Sequence, residues 1–170
     1  PKELHAYREG LLAKRNDKKS VIAVCCGTGC NASGARKVAQ AFRDELGKQG
    51  LGDRIELKPT GCHGFCERGT LVLMHPAETL YTRVKPEDVA EIVEKTVKKG
   101  EVLEKHLYDD PVTGAKHVKE SDIPFYRHQG RLILGKNGLI DPTVIDDYIA
   151  LGGYGALAKA LEMGPDRVLE

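Results

Sequence analysis

The reading of the fold turns on Val21–Ala35, VIAVCCGTGCNASGA. Ser20–Cys26 is an apolar, β-branched run with the length of a buried strand. Gly27 and Gly29 then form a turn, and a helix begins near Asn31. A strand, a glycine turn and a helix make the setting of a dinucleotide fold. Gly27, Gly29 and Ala32 fit G-x-G-x-x-A, and Glu56 lies at a suitable separation for a ribose contact. Two facts oppose that reading. Cys30 stands where the fingerprint wants a small neutral residue, and Cys62 and Cys66 are left without a role. The same turn reads better as a cradle for metal and sulfur than for phosphate.

Working outward, Ser33–Leu46 reads as a helix, with Val38, Ala39, Phe42 and Leu46 at helical spacing and Gly47 behind them. Arg54–Thr60 and Thr70–His75 read as strands. Pro76–Glu78 is a tight turn, and Thr79–Val84 pairs back as a hairpin strand. The next helix opens on Pro86, carries Glu87, Asp88 and Glu91 early, and closes on Lys98, Lys99 and Gly100. Val89, Ile92, Val93 and Val97 form its apolar stripe, with Glu91–Lys95 and Glu94–Lys98 pairs outside. The order β-α-β-β-β-α predicts an α/β domain with helices over a mixed sheet.

After residue 100 the chain is polar, carries Pro and Gly, and lacks a steady period. Residues 101–124 therefore read as a linker or extended arm, and the stretch 101–140 reads equally as an arm that wraps a partner subunit or as a plain linker. RLILGKNGLI at 131–140 predicts a short strand and turn. Asp141 and Pro142 open a helix that ends at Gly152, and Tyr154–Met163 is another, stopped by Gly164. Pro165 starts a further helix, a signal expected of a chain that continues.

The chain has 170 residues, enough for one domain and some extra length. Its 26 basic and 25 acidic residues nearly cancel, so charge gives no case for nucleic acid or an anionic membrane. No apolar run reaches the ~20 residues that span a bilayer. The amino-terminal stretch is polar and lacks a secretory core, so a cytoplasmic location is expected. In that compartment five cysteines do not form a disulfide framework.

The cysteines are grouped: Cys25, Cys26 and Cys30 on one glycine-rich loop, Cys62 and Cys66 on another, TGCHGFCERGT. Each loop follows a strand. If those strands are neighbours, both loops leave the same end of the sheet and the thiols converge. Zinc takes tight knuckles around one point. A 2Fe–2S cluster is longer and accepts wider loops, and its sulfides want backbone N–H donors, which glycines present without a Cβ in the way. The cluster fits best, with zinc and plain reduced cysteines as alternatives. Either Cys25 or Cys26 could open the first pair. The C-H-G of the second loop does not make a Rieske centre, because the first loop has no histidine. His63 reads as a solvent-facing or hydrogen-bonding neighbour, and His5, His75, His106, His117 and His128 as surface or polar-core residues.

VCCGTGCNASGA and GCHGFCERGTLVLMHP together resemble the thioredoxin-like 2Fe–2S ferredoxin domain. They resemble in particular the copy at the amino terminus of flavoprotein subunits related to the NADH- and FMN-binding subunit of respiratory complex I. Such subunits occur in NAD(P)-linked and electron-bifurcating hydrogenases, formate dehydrogenases and related reductases. Residues 124–163, PFYRHQGRLILGKNGLIDPTVIDDYIALGGYGALAKALEM, resemble the segment that leads into the flavin domain. The resemblance implies Cys25, Cys30, Cys62 and Cys66 as cluster ligands, with Cys26 a buried filler. It implies a lead-in at 1–19, a thioredoxin-like domain at 20–100, the linker at 101–124, and at 125–170 a short helical start to a flavin domain that lies beyond this sequence. FMN, NAD(P)H and a 4Fe–4S cluster would belong to that further part. The implied function is one-electron transfer within an NADH dehydrogenase-like oxidoreductase complex, with its other subunits as partners. The alternative is a thioredoxin-like docking module stabilised by zinc or a structural cluster, with no redox role. No acid–base or nucleophilic residue is required by either.

Overall fold

The computed structural model describes residues 1–14 and 19–169. They form two compact units, Lys18–Asp141 and a smaller one joining Pro1–Asp17 to Pro142–Glu170.

The larger unit is built on a four-stranded sheet. Its strands are β1 (Ser20–Cys25), β2 (Ile55–Thr60), β3 (Val72–His75) and β4 (Thr79–Tyr81), in the order β2-β1-β3-β4. β1 runs parallel to β2, with Cys25 opposite Thr60, while β3 is antiparallel to both β1 and β4. The parallel pair needs a crossover, and α3 (Ala35–Lys48) provides it after the single short turn of α2 (Thr28–Ala32). Gly34 separates α2 from α3 at φ 94°, a left-handed conformation that suits glycine. The stripe expected on α3 is buried: Val38, Ala39, Phe42 and Leu46, joined by Ala35.

Alternation along β1 sorts its side chains between two cores. Ile22 and Val24 meet Val38, Phe42, Val72, Met74 and Tyr81 on one face. Ala23 and Cys25 meet Leu71, Leu73, Leu80, Tyr108 and Ile123 on the other. The helical run over residues 86–99 covers the first face. It begins as a 3-10 turn at Pro86–Asp88, continues as α4 (Val89–Ile92), and widens to a π-turn at Val93–Val97. Both expected surface pairs form, Glu91–Lys95 at 2.8 Å and Glu94–Lys98 at 2.6 Å.

Residues 101–124 close over the sheet. Leu103, Leu107, Tyr108 and Ile123 are buried, and β5 (Tyr108–Asp109) pairs with β6 (Lys116–His117). The buried Tyr81 hydroxyl ties this segment down. It accepts the Leu103 N–H at 2.9 Å and lies 2.8 Å from Thr96 Oγ1. Then α5 (Pro124–Arg127) brings Phe125 and Tyr126 to the second core.

The strand expected within residues 131–140 does not form. That stretch is irregular, with a 3-10 turn at Asn137–Leu139, and Leu132, Ile133 and Leu134 are exposed. β-branched and apolar content favours a strand only where an edge supplies a ladder. Here the segment's backbone meets the sheet's end through one bond, Gly61 N–H to Ile140 O at 3.3 Å.

In the smaller unit α1 (Lys2–Lys14) packs on α6 (Ile145–Ala150). The Tyr7 hydroxyl donates to Asp146 at 2.9 Å and Arg8 Nε to the Ala150 carbonyl at 3.2 Å. α7 (Gly155–Met163) and α8 (Pro165–Leu169) follow. Among the described residues, no helix is long and apolar enough to cross a membrane.

Candidate metal centre

Because β1 and β2 are parallel neighbours, the loops after Cys25 and Thr60 leave the same end of the sheet. The alternation of β1 decides which of the two adjacent cysteines joins the site. Cys25 is buried on the Ala23 face and its thiol hydrogen-bonds that of Cys30. Cys26 is half-buried, its carbonyl accepting the Asn31 side chain at 2.7 Å. In the second loop Cys62 and Cys66 stand Sγ to Sγ at 3.6 Å. Two thiolates on one tetrahedral ion, with bonds of about 2.3 Å, lie about 3.8 Å apart, so little movement separates this pair from a ligating one.

The loops interlock through glycine. A Cβ on Gly27 would lie 2.8 Å from the Cys62 Cβ and 3.3 Å from its sulfur. One on Gly29 would lie 3.3 Å from the Cys66 sulfur, and one on Gly69 2.8 Å from the Cys30 sulfur. The space beside these three sulfurs is thus kept open by the absence of a side chain. The same contacts remove the room in which a dinucleotide pyrophosphate would lie, and Glu56 is engaged by Lys58 at 3.1 Å.

Backbone donors point at the sulfurs. Cys25 Sγ receives the N–H groups of Gly27 and His63, and Cys30 Sγ that of Leu71. Gly64 N–H reaches Cys62 Sγ at 3.3 Å. Hydrogen bonding from Cys30, with those two N–H donors, pulls the Cys25 thiol down to about 5 against the opposing effect of burial. Cys30 keeps the pair's shared proton and is pushed up, as is Cys66 by its bond with Cys62 and by burial. The inner pair therefore has one thiol, Cys25, ready to ionise, and metal binding expels the proton left on Cys30.

Solvent access is graded. Cys25 and Cys30 are buried, Cys62 is intermediate and Cys66 exposed. Phe65, between the cysteines of the second loop, stacks on Phe125 with centroids 4.5 Å apart and meets Tyr108 and Tyr126 edge-on. That aromatic wall keeps water from the inner pair. His63 is fully buried rather than solvent-facing, with Nε2 2.8 Å from Thr60 Oγ1 and Nδ1 3.4 Å from Glu120. Its role is the hydrogen-bonding one. Among the described residues, no three His, Cys, Asp or Glu side chains are grouped as one metal ion would need. The four thiols fall instead into two pairs, and this donor set with its glycine cradles fits a cluster that divides its ligands two and two.

Sequence reasoning missed Arg131. Its guanidinium lies 4.8 Å over the Tyr126 ring and donates to the His63 carbonyl, while its Nε donates to Gln129 at 3.2 Å. No local pattern marks it, since 68 residues separate it from His63. The aromatic wall was partly legible, for Phe65 sits between the two cysteines of its loop.

Comparison with known proteins agrees with this geometry. Residues 11–97 match the thioredoxin-like 2Fe–2S ferredoxin family. A 2Fe–2S ferredoxin of Aquifex aeolicus is 42% identical over 77 residues, which is 45% of this chain and 69% of that protein. The crystal structure of the wild-type thioredoxin-like 2Fe–2S ferredoxin from Aquifex aeolicus superposes with a TM-score of 0.51 at 33% identity. It covers 55% of this chain and 99% of its own. The NADP-reducing hydrogenase subunit HndC of Solidesulfovibrio fructosivorans is 50% identical over 44 residues, 26% of this chain and 9% of that subunit. The mixed sheet with flanking helices is therefore a thioredoxin-like fold, and the chain belongs to the thioredoxin-like 2Fe–2S ferredoxin family, with a 2Fe–2S cluster as its cofactor and electron transfer as its function.

Proposed function

We propose that Cys25, Cys30, Cys62 and Cys66 hold the cluster, each pair on one iron, and that the chain relays electrons within an NAD(P)H-linked flavoprotein oxidoreductase complex. The observation that carries the ligand assignment is the pairing of the four thiols at one end of the sheet, with Cys30, Cys62 and Cys66 each beside a glycine that leaves room for it. The wider setting is supported by the likeness to HndC, by name a subunit of an NADP-reducing hydrogenase. Residues 20–100 would be the redox domain and 125–170 the start of a flavoprotein domain.

When bound, the cluster takes up and gives back one electron. The protein's part is placement. The N–H groups of Gly27, His63, Gly64 and Leu71 stabilise negative charge on sulfur and so favour the reduced state. The Phe65 wall shields the inner pair, and Cys66 at the surface offers the shortest route to a partner. No side chain needs to move a proton to a substrate.

The test is Cys62→Ser in the assembled oxidoreductase. The cluster's EPR signal should be lost or altered, and NAD(P)H-driven electron flow should fall at least tenfold while the subunits still co-purify. Undiminished flow with the signal gone would end the relay reading in favour of a structural site.

A further inference from the structure

Arg131 sits where it can act on the cluster without touching it. The peptide unit joining His63 to Gly64 has two ends in use. Its carbonyl accepts the Arg131 guanidinium, and its N–H donates to Cys62 Sγ at 3.3 Å. A cation on the carbonyl side polarises the unit and strengthens the N–H on the other, as hydrogen bonds in series do in a low dielectric. The guanidinium is held there by the Tyr126 ring at 4.8 Å and by Gln129 Oε1 at 3.2 Å. Gly64 makes the approach possible. At φ 89° it adopts the left-handed region, and a Cβ there would lie 2.8 Å from Arg131 Nη2.

We propose that Arg131 is a positioning residue that raises the reduction potential of the cluster through the His63–Gly64 peptide. The reduced cluster carries one more negative charge than the oxidised one, so a fixed cation and a stronger N–H···S bond favour the reduced state more. Removing the charge therefore makes reduction harder. The inference rests on the assignment of Cys62 as a ligand.

The experiment is an EPR-monitored redox titration of the purified chain with its cluster, alongside Arg131→Gln, Arg131→Lys and Gln129→Ala, with iron and sulfide measured per chain. Arg131→Gln should keep the cluster yet lower the reduced-to-oxidised ratio about tenfold at a fixed poise, equivalent to 59 mV for one electron. Arg131→Lys, which keeps the charge but not the planar fork, should lose less than half as much. A merely structural Arg131 would change stability and cluster yield without moving the potential. A full cluster in Arg131→Gln with a ratio within twofold of the parent overturns the proposal. If Arg131→Gln fails to hold a cluster, Gln129→Ala decides, since it removes only the acceptor that holds the guanidinium in place: a shift in the same direction supports the proposal and an unmoved potential overturns it. Cys62→Ser tells the two readings apart. If that variant leaves the spectrum and potential of the parent, the ligand assignment is what failed.

Discussion

Gly69→Ala puts the cradle to a quantitative test. Gly69 has φ −62° and ψ 153°, a region of backbone open to alanine. The added Cβ would lie 2.8 Å from Cys30 Sγ and 3.3 Å from the Cys66 carbonyl oxygen. Ordinary non-bonded contacts between heavy atoms begin near 3.5 Å, so something must give by roughly 0.7 Å. Metal sites tolerate about 0.2 Å in ligand distance, and the displaced atom is a proposed ligand. Overpacking of this kind costs about 1–3 kcal/mol, or roughly 5- to 150-fold in cluster retention. Gly47→Ala is the control. It lies within α3 with nothing inside 4 Å of a new Cβ, and should stabilise the fold by about 0.5–1 kcal/mol with the cluster intact. The assay is iron and acid-labile sulfide per chain after desalting, with thermal melts of both variants. Full cluster content and an unchanged melt in Gly69→Ala would refute the claim that the glycines are there to make room for sulfur.

Three further outcomes are expected. Tyr81→Phe should cost about 1–3 kcal/mol in denaturant melts, because the buried Leu103 N–H loses its acceptor. Cys26→Ala should leave iron and sulfide content and the EPR spectrum unchanged, whereas Cys25→Ser should not. Glu91 is held down at about 2 by hydrogen bonds from Lys105 and then Lys95. A depressed folded value means that its stabilisation is complete above the unfolded carboxylate's pKa near 4.5 and is lost as pH falls from there through about 2. NMR titration of its side chain should show that midpoint, rising toward the ordinary value in molar salt.

Much of the fold could be read locally because its elements carry strong periodic signals. The α3 stripe, the helix opened by Pro86 and strands β1, β3 and β4 bury the side chains that their spacing implied, whereas β2 half-buries Ile55 and Leu57 and buries Lys58 and Thr60 on its other face. The convergence of two cysteine loops followed from one condition, that β1 and β2 be parallel neighbours. Legibility failed where burial has no period. Leu103 and Leu107 fill the first core and Tyr108 and Ile123 the second from an irregular segment, each held by its own contact rather than by a repeating face. Leu132–Leu134 erred the other way, apolar residues with no edge to join. Arg131 was beyond reach for a related reason, since its partner His63 is 68 residues away.

The central claim is that two pairs of thiols share one pair of irons. Mössbauer spectroscopy of the iron-57-loaded chain, read with its acid-labile sulfide content, tests it most directly. The account predicts two tetrahedral thiolate-bound ferric sites coupled to a diamagnetic state, two sulfides per chain, and one trapped ferrous site after one-electron reduction. A single mononuclear iron, or a stoichiometric zinc with no sulfide, would contradict it.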